Sequence, residues 1–326
     1  MIEPKNCPAL LAPYKAGELL TLRRVDDSSD VKLKIQKPQQ SWTLSCSMVV
    51  DILSNPNSNN HNGTAHTAFL KLYDWRFASQ LRDDQGIEPW TEEFGKQYAG
   101  IVLSGNIDGF IERLGDKNFR DETEDDWDAG QNEASLAHEA RMMYSSEISV
   151  YERLGDIQGT MVPRLIGAVE LDITPEDVNP NERQREHFQI KGILLEYIRG
   201  FSLSDIISKA PPETWQGIVD QAIRVVHALG DHGVLNKDVR PDNFIVSQCD
   251  CNEHSTEFHV FMIDFGQSRL RGDDETDFDW GRDKWQQDEE GAVGLVMQHR
   301  LRKVGVEISY VPSYRYLEFA EGEDEE

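Results

Sequence analysis

The stretch Leu235-Asn236-Lys237-Asp238-Val239-Arg240-Pro241-Asp242-Asn243-Phe244-Ile245-Val246 crowds a carboxylate, a guanidinium and an amide into one short loop. After a hairpin-like insert, Phe261-Met262-Ile263-Asp264-Phe265-Gly266 brings a second carboxylate. These segments constrain the chain most, because they call for a fold that gathers polar side chains remote in sequence. Phosphoryl transfer uses a carboxylate to orient the attacking hydroxyl, a cation beside it, and further oxygen ligands that hold magnesium against the phosphates. Asp238, Arg240, Asn243 and Asp264 are those types in that order. Asn243 and Asp264 offer hard oxygen donors, which suit magnesium better than a soft metal.

A chain of 326 residues has room for one large domain or two lobes. Acidic residues number 59 against 33 basic ones, a formal charge of −26, which repels a phosphate backbone and argues against a nucleic-acid partner. A basic peptide or a cationic small molecule is the electrostatically easier substrate. The first residues, Met1 to Cys7, show no basic region followed by an apolar stretch, and no window approaches a membrane span. The expectation is a soluble intracellular protein, cytoplasmic or nuclear, without a membrane partner. Cysteines are few: Cys7, Cys46, Cys249 and Cys251. They do not form a disulfide framework. Cys249, Cys251 and His254 fall short of the four ligands of a closed zinc site, so they read as a polar loop.

Alternation and β-branched content predict strands at Val31–Ile35, Thr43–Ile52 and Thr67–Tyr73, with a loop at Asn55–Gly63. Lys71 sits among apolar neighbours in the third. From about 77 to 132 runs a long insert whose apolar spacing predicts helices, ending in the acidic run Asp121 to Asp126. Between Glu133 and Gly155 a helical period places Ala140, Tyr144, Tyr151 and Leu154 on one stripe. Glu147 falls on that stripe, where a carboxylate is costly without a cation, whereas Glu152 lies on a flank. A polar loop spans Thr174–Arg185, Gly192–Ile198 reads as a buried strand, and Ser202–Ser208 as a short helix. Trp215, Ile218, Val219, Ala222, Ile223, Val226 and Leu229 then predict a helix ended by Gly230 or Gly233. Strands, one long helix, a strand-to-turn crossing and a mostly helical half point to a small α/β lobe followed by a helical lobe.

On these residues the chain resembles the protein-kinase-like fold. The step from Asp238 to Asn243 matches the interval of the H-R-D-L-x-x-x-N loop, and Asp264-Phe265-Gly266 is an intact D-F-G. It is particularly similar to divergent fungal kinase-like proteins that share the Tyr73-Asp74-Trp75-Arg76 neighbourhood, the long insert and the Leu154-to-Gly159 turn. The resemblance spans about Leu33 to Leu301 and implies an α+β, bilobal fold: an N-terminal lobe over 1–195 with the insert at about 77–132, a truncated catalytic lobe over 196–320, and an acidic tail at 321–326. It implies that Lys71 grips the nucleotide phosphates and that Glu147 positions Lys71. Asp238 would orient the hydroxyl, Arg240 stabilise the transferred group, and Asn243 and Asp264 bind Mg2+. Glu196-Tyr197-Ile198-Arg199-Gly200 resembles the inter-lobe hinge, which places the ATP base near Glu196 and Ile198, with Ser202 just beyond.

Departures from that pattern matter too. Asn236 replaces the usual loop histidine and alters packing under the Phe265 turn, and Lys237 replaces an arginine. No glycine lies between Lys34 and Ile52, so no glycine-rich loop precedes Lys71. Only Ser268 and Thr276 are phosphorylatable in the acidic segment up to Glu290, no A-P-E follows, and little chain remains after a helix at Gly291–Leu301. Asp288 or Glu289 stands near the start of that helix, which is placed to buttress the Asp238 loop. The expected activity is ATP- and magnesium-dependent transfer to a hydroxyl of a protein. The alternatives are a small-molecule kinase of the aminoglycoside or choline type, and a pseudokinase that serves as a binding scaffold.

Overall fold

The computed structural model describes residues 13–53, 66–248 and 257–320. The chain is α+β and divides into two compact units, Met1–Arg141 with Ile166–Leu195, and Met142–Leu165 with Glu196–Glu326. Residues 142–165 group with the second unit and 166–195 with the first. The loop at Asn55–Gly63, Cys249, Cys251, His254 and the tail at 321–326 lie outside the described residues.

In the first unit, β1 (Leu19–Arg24), β2 (Asp30–Pro38), β3 (Cys46–Leu53) and β4 (His66–Leu72) pair antiparallel in succession. Along β2 the side chains of Val31, Leu33 and Ile35 point inward and those of Lys32 and Lys34 outward, the period-two signature of a half-buried strand. The turn between β1 and β2, Val25 to Ser29, carries Asp26 and Asp27 and no glycine. The insert folds into α1 (Ser79–Asp84), α2 (Glu92–Leu103), α3 (Ile107–Leu114) and α4 (Lys117–Thr123), followed by the long α5 (Ala129–Arg153). Next come β5 (Leu165–Asp172), α6 (Glu182–His187) and β6 (Gln189–Glu196). The six strands close into a barrel in the order β1-β2-β3-β4-β6-β5. The expected polar loop at 174–185 thus runs into a helix, which a reciprocal Asn181–Gln184 capping box starts.

Polar clasps hold the insert. Arg82 donates to Glu133 Oε1 at 2.6 Å and Oε2 at 3.2 Å, and Trp75 Nε1 donates to Oε2 at 3.1 Å. Fully buried Asp74 accepts from Arg76 Nε and Nη2 at 2.9 and 2.8 Å and from the Tyr14 hydroxyl at 2.7 Å. The Tyr73-to-Arg76 neighbourhood is therefore where the strand end is tied to its surroundings.

The second unit contains β7 (Phe201–Ser202), α7 (Ile206–Lys209), α8 (Trp215–Asp231), β8 (Val234–Asn236), β9 (Phe244–Gln248), β10 (Phe258–Met262), β11 (Ser268–Leu270), α9 (Asp277–Gln287) and α10 (Gly291–Arg302). One sheet has the order β10-β9-β7, and β11 pairs with β8. On α8 the predicted apolar positions Trp215, Ile218, Val219, Ala222, Val226 and Leu229 are buried and Ile223 is half-buried, and Gly233 just beyond the helix end takes a left-handed φ of 70°. Helix α9 has no counterpart in the sequence reading. Its acidic surface hides the period, and Thr276 caps it by accepting from Asp279 N at 3.1 Å. No helix among the described residues is long and apolar enough to cross a membrane.

Candidate active site

Strand β8 delivers the chain to the Asp238 loop through Asn236, which is wholly buried and bonded in three directions. Its main-chain N–H donates to Glu289 Oε1 at 2.7 Å, its side-chain oxygen accepts from Asp238 N at 2.8 Å, and its Nδ2 donates to the Asp264 carbonyl at 3.3 Å. Asn236 thus acts through hydrogen bonds to the Asp264 turn rather than through packing alone, the effect anticipated from its replacement of histidine.

Asp238 is 23% exposed, and its Oδ2 accepts from Asn243 Nδ2 at 2.9 Å while Arg240 Nη2 stands 3.3 Å away. Asn243 Nδ2 also reaches the Asp238 carbonyl at 2.8 Å. A 3-10 turn, Pro241–Asn243, sets this geometry, and Ile263 N donates to the Asn243 carbonyl at 2.9 Å, which docks the Asp264 segment beside it. Asp264 adopts a left-handed φ of 67°, a conformation that aspartate tolerates better than most residues. Phe265 behind it is fully buried and meets Tyr151 edge-on at 5.4 Å.

Glu147 is buried on α5, as its stripe position requires. A β-carbon at Gly266 would lie 3.7 Å from Glu147 Oε2 and 3.8 Å from Asp264 Oδ1, so both carboxylates flank this α-carbon. Burial, and then the nearby charges of Glu147 and Asp264, push the Tyr151 hydroxyl well above its ordinary pKa. Glu147, Asp238, Arg240, Asn243 and Asp264 all belong to the second unit. Lys71 belongs to the first, where it is buried on β4 opposite Ser47 with its ammonium 5.3 Å from the Tyr73 ring.

In the hinge-like segment, the Glu196 carboxylate is engaged by Arg164 Nη1 at 3.1 Å and Arg164 N at 3.2 Å. Ser202 Oγ accepts from Ser204 N at 3.2 Å and donates to the Pro241 carbonyl at 3.4 Å. Ile198 is half-buried. Gly200 is required by close approach, since a β-carbon there would stand 2.3 Å from the Val246 carbonyl oxygen.

The donor set fits magnesium. Asn243 turns its amide nitrogen to Asp238, and its side-chain oxygen and the Asp264 carboxylate are both hard oxygen donors of the kind magnesium takes. Among the described residues no cluster of three or more His, Cys, Asp and Glu side chains is arranged to hold a metal.

No protein-family model matches the chain, and no curated protein sequence matches it. Among solved structures, the chain is similar to two of the Rio2 kinase of Chaetomium thermophilum. One, an ADP/Mg2+-phosphoaspartate complex, is 13% identical with a TM-score of 0.47, over 87% of this chain and 61% of that one. The other is 14% identical with the same TM-score, over 89% of this chain and 64% of that one. The chain thus spans less than two thirds of the length of either kinase structure.

Two features of the site go beyond the sequence reading. Lys284 on α9 forms a buried salt bridge with Glu289 and donates to the Val234 carbonyl at 3.2 Å. The signal for it was weak: one lysine four residues after Trp280 in an acidic run. Arg269 donates to both Glu275 oxygens at 2.6 and 2.8 Å and to Asp283 at 2.5 Å, and this clasp holds the Glu275 carboxyl at about 2. Ser268 is buried with no hydrogen-bond partner for its hydroxyl among the described residues, whereas the Thr276 hydroxyl caps α9.

Proposed function

We propose that this chain is a protein-kinase-like phosphotransferase that uses ATP and magnesium and delivers the γ-phosphoryl group to a hydroxyl of a protein. The observation that carries this reading is the hydrogen-bonded set of Asp238, Arg240 and Asn243 with the Asp264 segment docked on it. In this reading Asp238 orients the acceptor hydroxyl and receives its proton as the new O–P bond forms and ADP leaves. Arg240 stands beside Asp238 to offset charge on the moving phosphoryl group. Asn243 and Asp264 hold magnesium, which when bound neutralises the phosphate oxygens. The two units serve as the lobes of a bilobal kinase: Lys71 is the phosphate-gripping cation, Glu147 positions it, and the main chain from Glu196 to Ile198 receives the adenine.

A scaffold without catalysis is the second reading, favoured by the first hairpin turn, which has two aspartates and no glycine. Asp238→Asn separates the two. The bond from the Asn243 side-chain amide to the Asp238 main-chain carbonyl survives that change, so the fold is spared. Transfer to basic peptides is expected to fall about 10²–10⁴-fold. Undiminished transfer refutes the assignment of Asp238, and a wild-type protein inert toward peptides and metabolite alcohols leaves the scaffold.

A further inference from the structure

The segment 308–320 lies against three helices of the second unit at glycines. A β-carbon at Gly294 of α10 would stand 2.3 Å from the Tyr310 ring, one at Gly281 of α9 2.3 Å from the Phe319 ring, and one at Gly230 of α8 3.2 Å from the Tyr316 hydroxyl. Each helix thus presents a notch to one aromatic side chain. Polar bonds pin the segment between them: Ser309 N donates to Gln216 Oε1 at 2.8 Å, Ser313 N donates to Glu290 Oε1 at 3.0 Å, and Arg315 pairs with Asp231. Beside it opens a cavity of about 560 Å3 whose lining includes Tyr316, Phe319, Lys284 and Glu289.

The placement of Tyr316 is the telling detail. The Lys284 ammonium, on a side chain 4% exposed, sits 5.7 Å from the Trp280 ring centre and 5.8 Å from that of Tyr316, with Glu289 as its counter-ion. A desolvated ammonium between aromatic faces is held by both rings and kept from water. Lys284 grips the carbonyl of Val234 and Glu289 the amide of Asn236, so the pair brackets the two ends of β8, the strand that delivers Asp238. Removing one aromatic wall admits water to the pair, weakens its attraction, and frees the Asn236 amide.

We propose that Tyr316 is a positioning residue for the Asp238 loop, acting through Lys284 and Glu289, and that the segment carrying it therefore governs the geometry of the site. The proposal builds on the phosphotransferase reading for its consequence but not for its test. Amide hydrogen exchange is followed in the full chain for peptides covering 234–240, in wild type, Tyr316→Leu and Tyr316→Phe. Exchange in Tyr316→Leu rises about tenfold at 234–238 while β2 to β4 stay within about twofold of wild type, and Tyr316→Phe, which keeps the ring, matches wild type. Where wild type transfers phosphate, kcat of Tyr316→Leu falls about fivefold with KM for ATP unchanged.

Unchanged exchange at 234–238 overturns the proposal, as does a rise shared equally by α8 and α10. Should Tyr316→Leu fail to fold, Gly230→Ala decides. It improves helix propensity in α8 while crowding the Tyr316 hydroxyl and the Lys284 ammonium, the latter at 3.3 Å, and the same localised rise is expected. A wild type that transfers nothing defeats the phosphotransferase reading alone, because the exchange comparison still decides the role of Tyr316.

Discussion

Arg82→Met isolates the buried ion pair that ties the insert to α5. Arg82 and Glu133 are 3% and 1% exposed, so solvent does little to screen them. The substitution fills similar volume but strands the Glu133 carboxylate beside the Trp75 indole N–H, which donates to it at 3.1 Å. Leaving one charge of a buried pair uncompensated costs about 3–5 kcal/mol. For a unit of this size that corresponds to a fall in melting temperature of about 6–20 °C. The double variant Arg82→Met with Glu133→Leu removes both charges, and exchanging a buried pair for apolar side chains is neutral or favourable by about 1–4 kcal/mol. Two hydrogen-bonding groups then lose a partner, the Trp75 indole and the Glu88 carbonyl that Arg82 Nε reaches at 2.8 Å, each costing about 1–3 kcal/mol. The double variant should therefore be more stable than Arg82→Met alone. Calorimetry and urea unfolding of wild type, both single variants and the double variant measure the coupling directly. A single variant within about 0.5 kcal/mol of wild type, or four additive values, would show that the carboxylate is hydrated and that the clasp argument is wrong.

Asn236→Ala removes the acceptor of Asp238 N and the donor to the Asp264 carbonyl while leaving the main-chain bond to Glu289. It should destabilise by about 1–3 kcal/mol in urea unfolding and, under the proposed function, lower kcat more than affinity for ATP, whereas equal loss in both would contradict its bridging role. Glu275 has its pKa lowered from the ordinary 4.5 to about 2, chiefly by the hydrogen bonds from Arg269. A depressed carboxyl stabilises the fold fully above 4.5 and ceases to do so as pH falls toward 2, so Glu275→Gln should flatten that part of the acid-denaturation curve. An unchanged acid limb would mean that the Arg269 clasp does not stabilise the fold.

What the sequence disclosed was periodicity and local spacing. The stripe on α5, the apolar face of α8, the alternation in β2 and the short Asp238-to-Asn243 step each depend on neighbours a few residues apart. Strand β1 escaped because only Leu22 of its six side chains is buried, and α9 because its helical face is written in acids and Lys284 rather than in aliphatics. The polar pairs escaped for a different reason. Arg82 with Glu133, Tyr14 with Asp74, and Asn236 with Glu289 join residues 51, 60 and 53 positions apart, and nothing in a single chain marks one carboxylate as the partner of one distant donor.

Asn236 shows how this limit bears on function. By type it is a departure from the familiar loop, and packing was the effect that could be read from it. A primary amide, however, offers an acceptor and a donor on the same short side chain. Here one holds the Asp238 main chain and the other the Asp264 carbonyl. The link that matters runs between the two acidic segments, and its requirement is one donor and one acceptor at the end of β8 rather than a particular ring. Substitution by an amide therefore keeps the connection, whereas an apolar residue of the same size would break it on both sides.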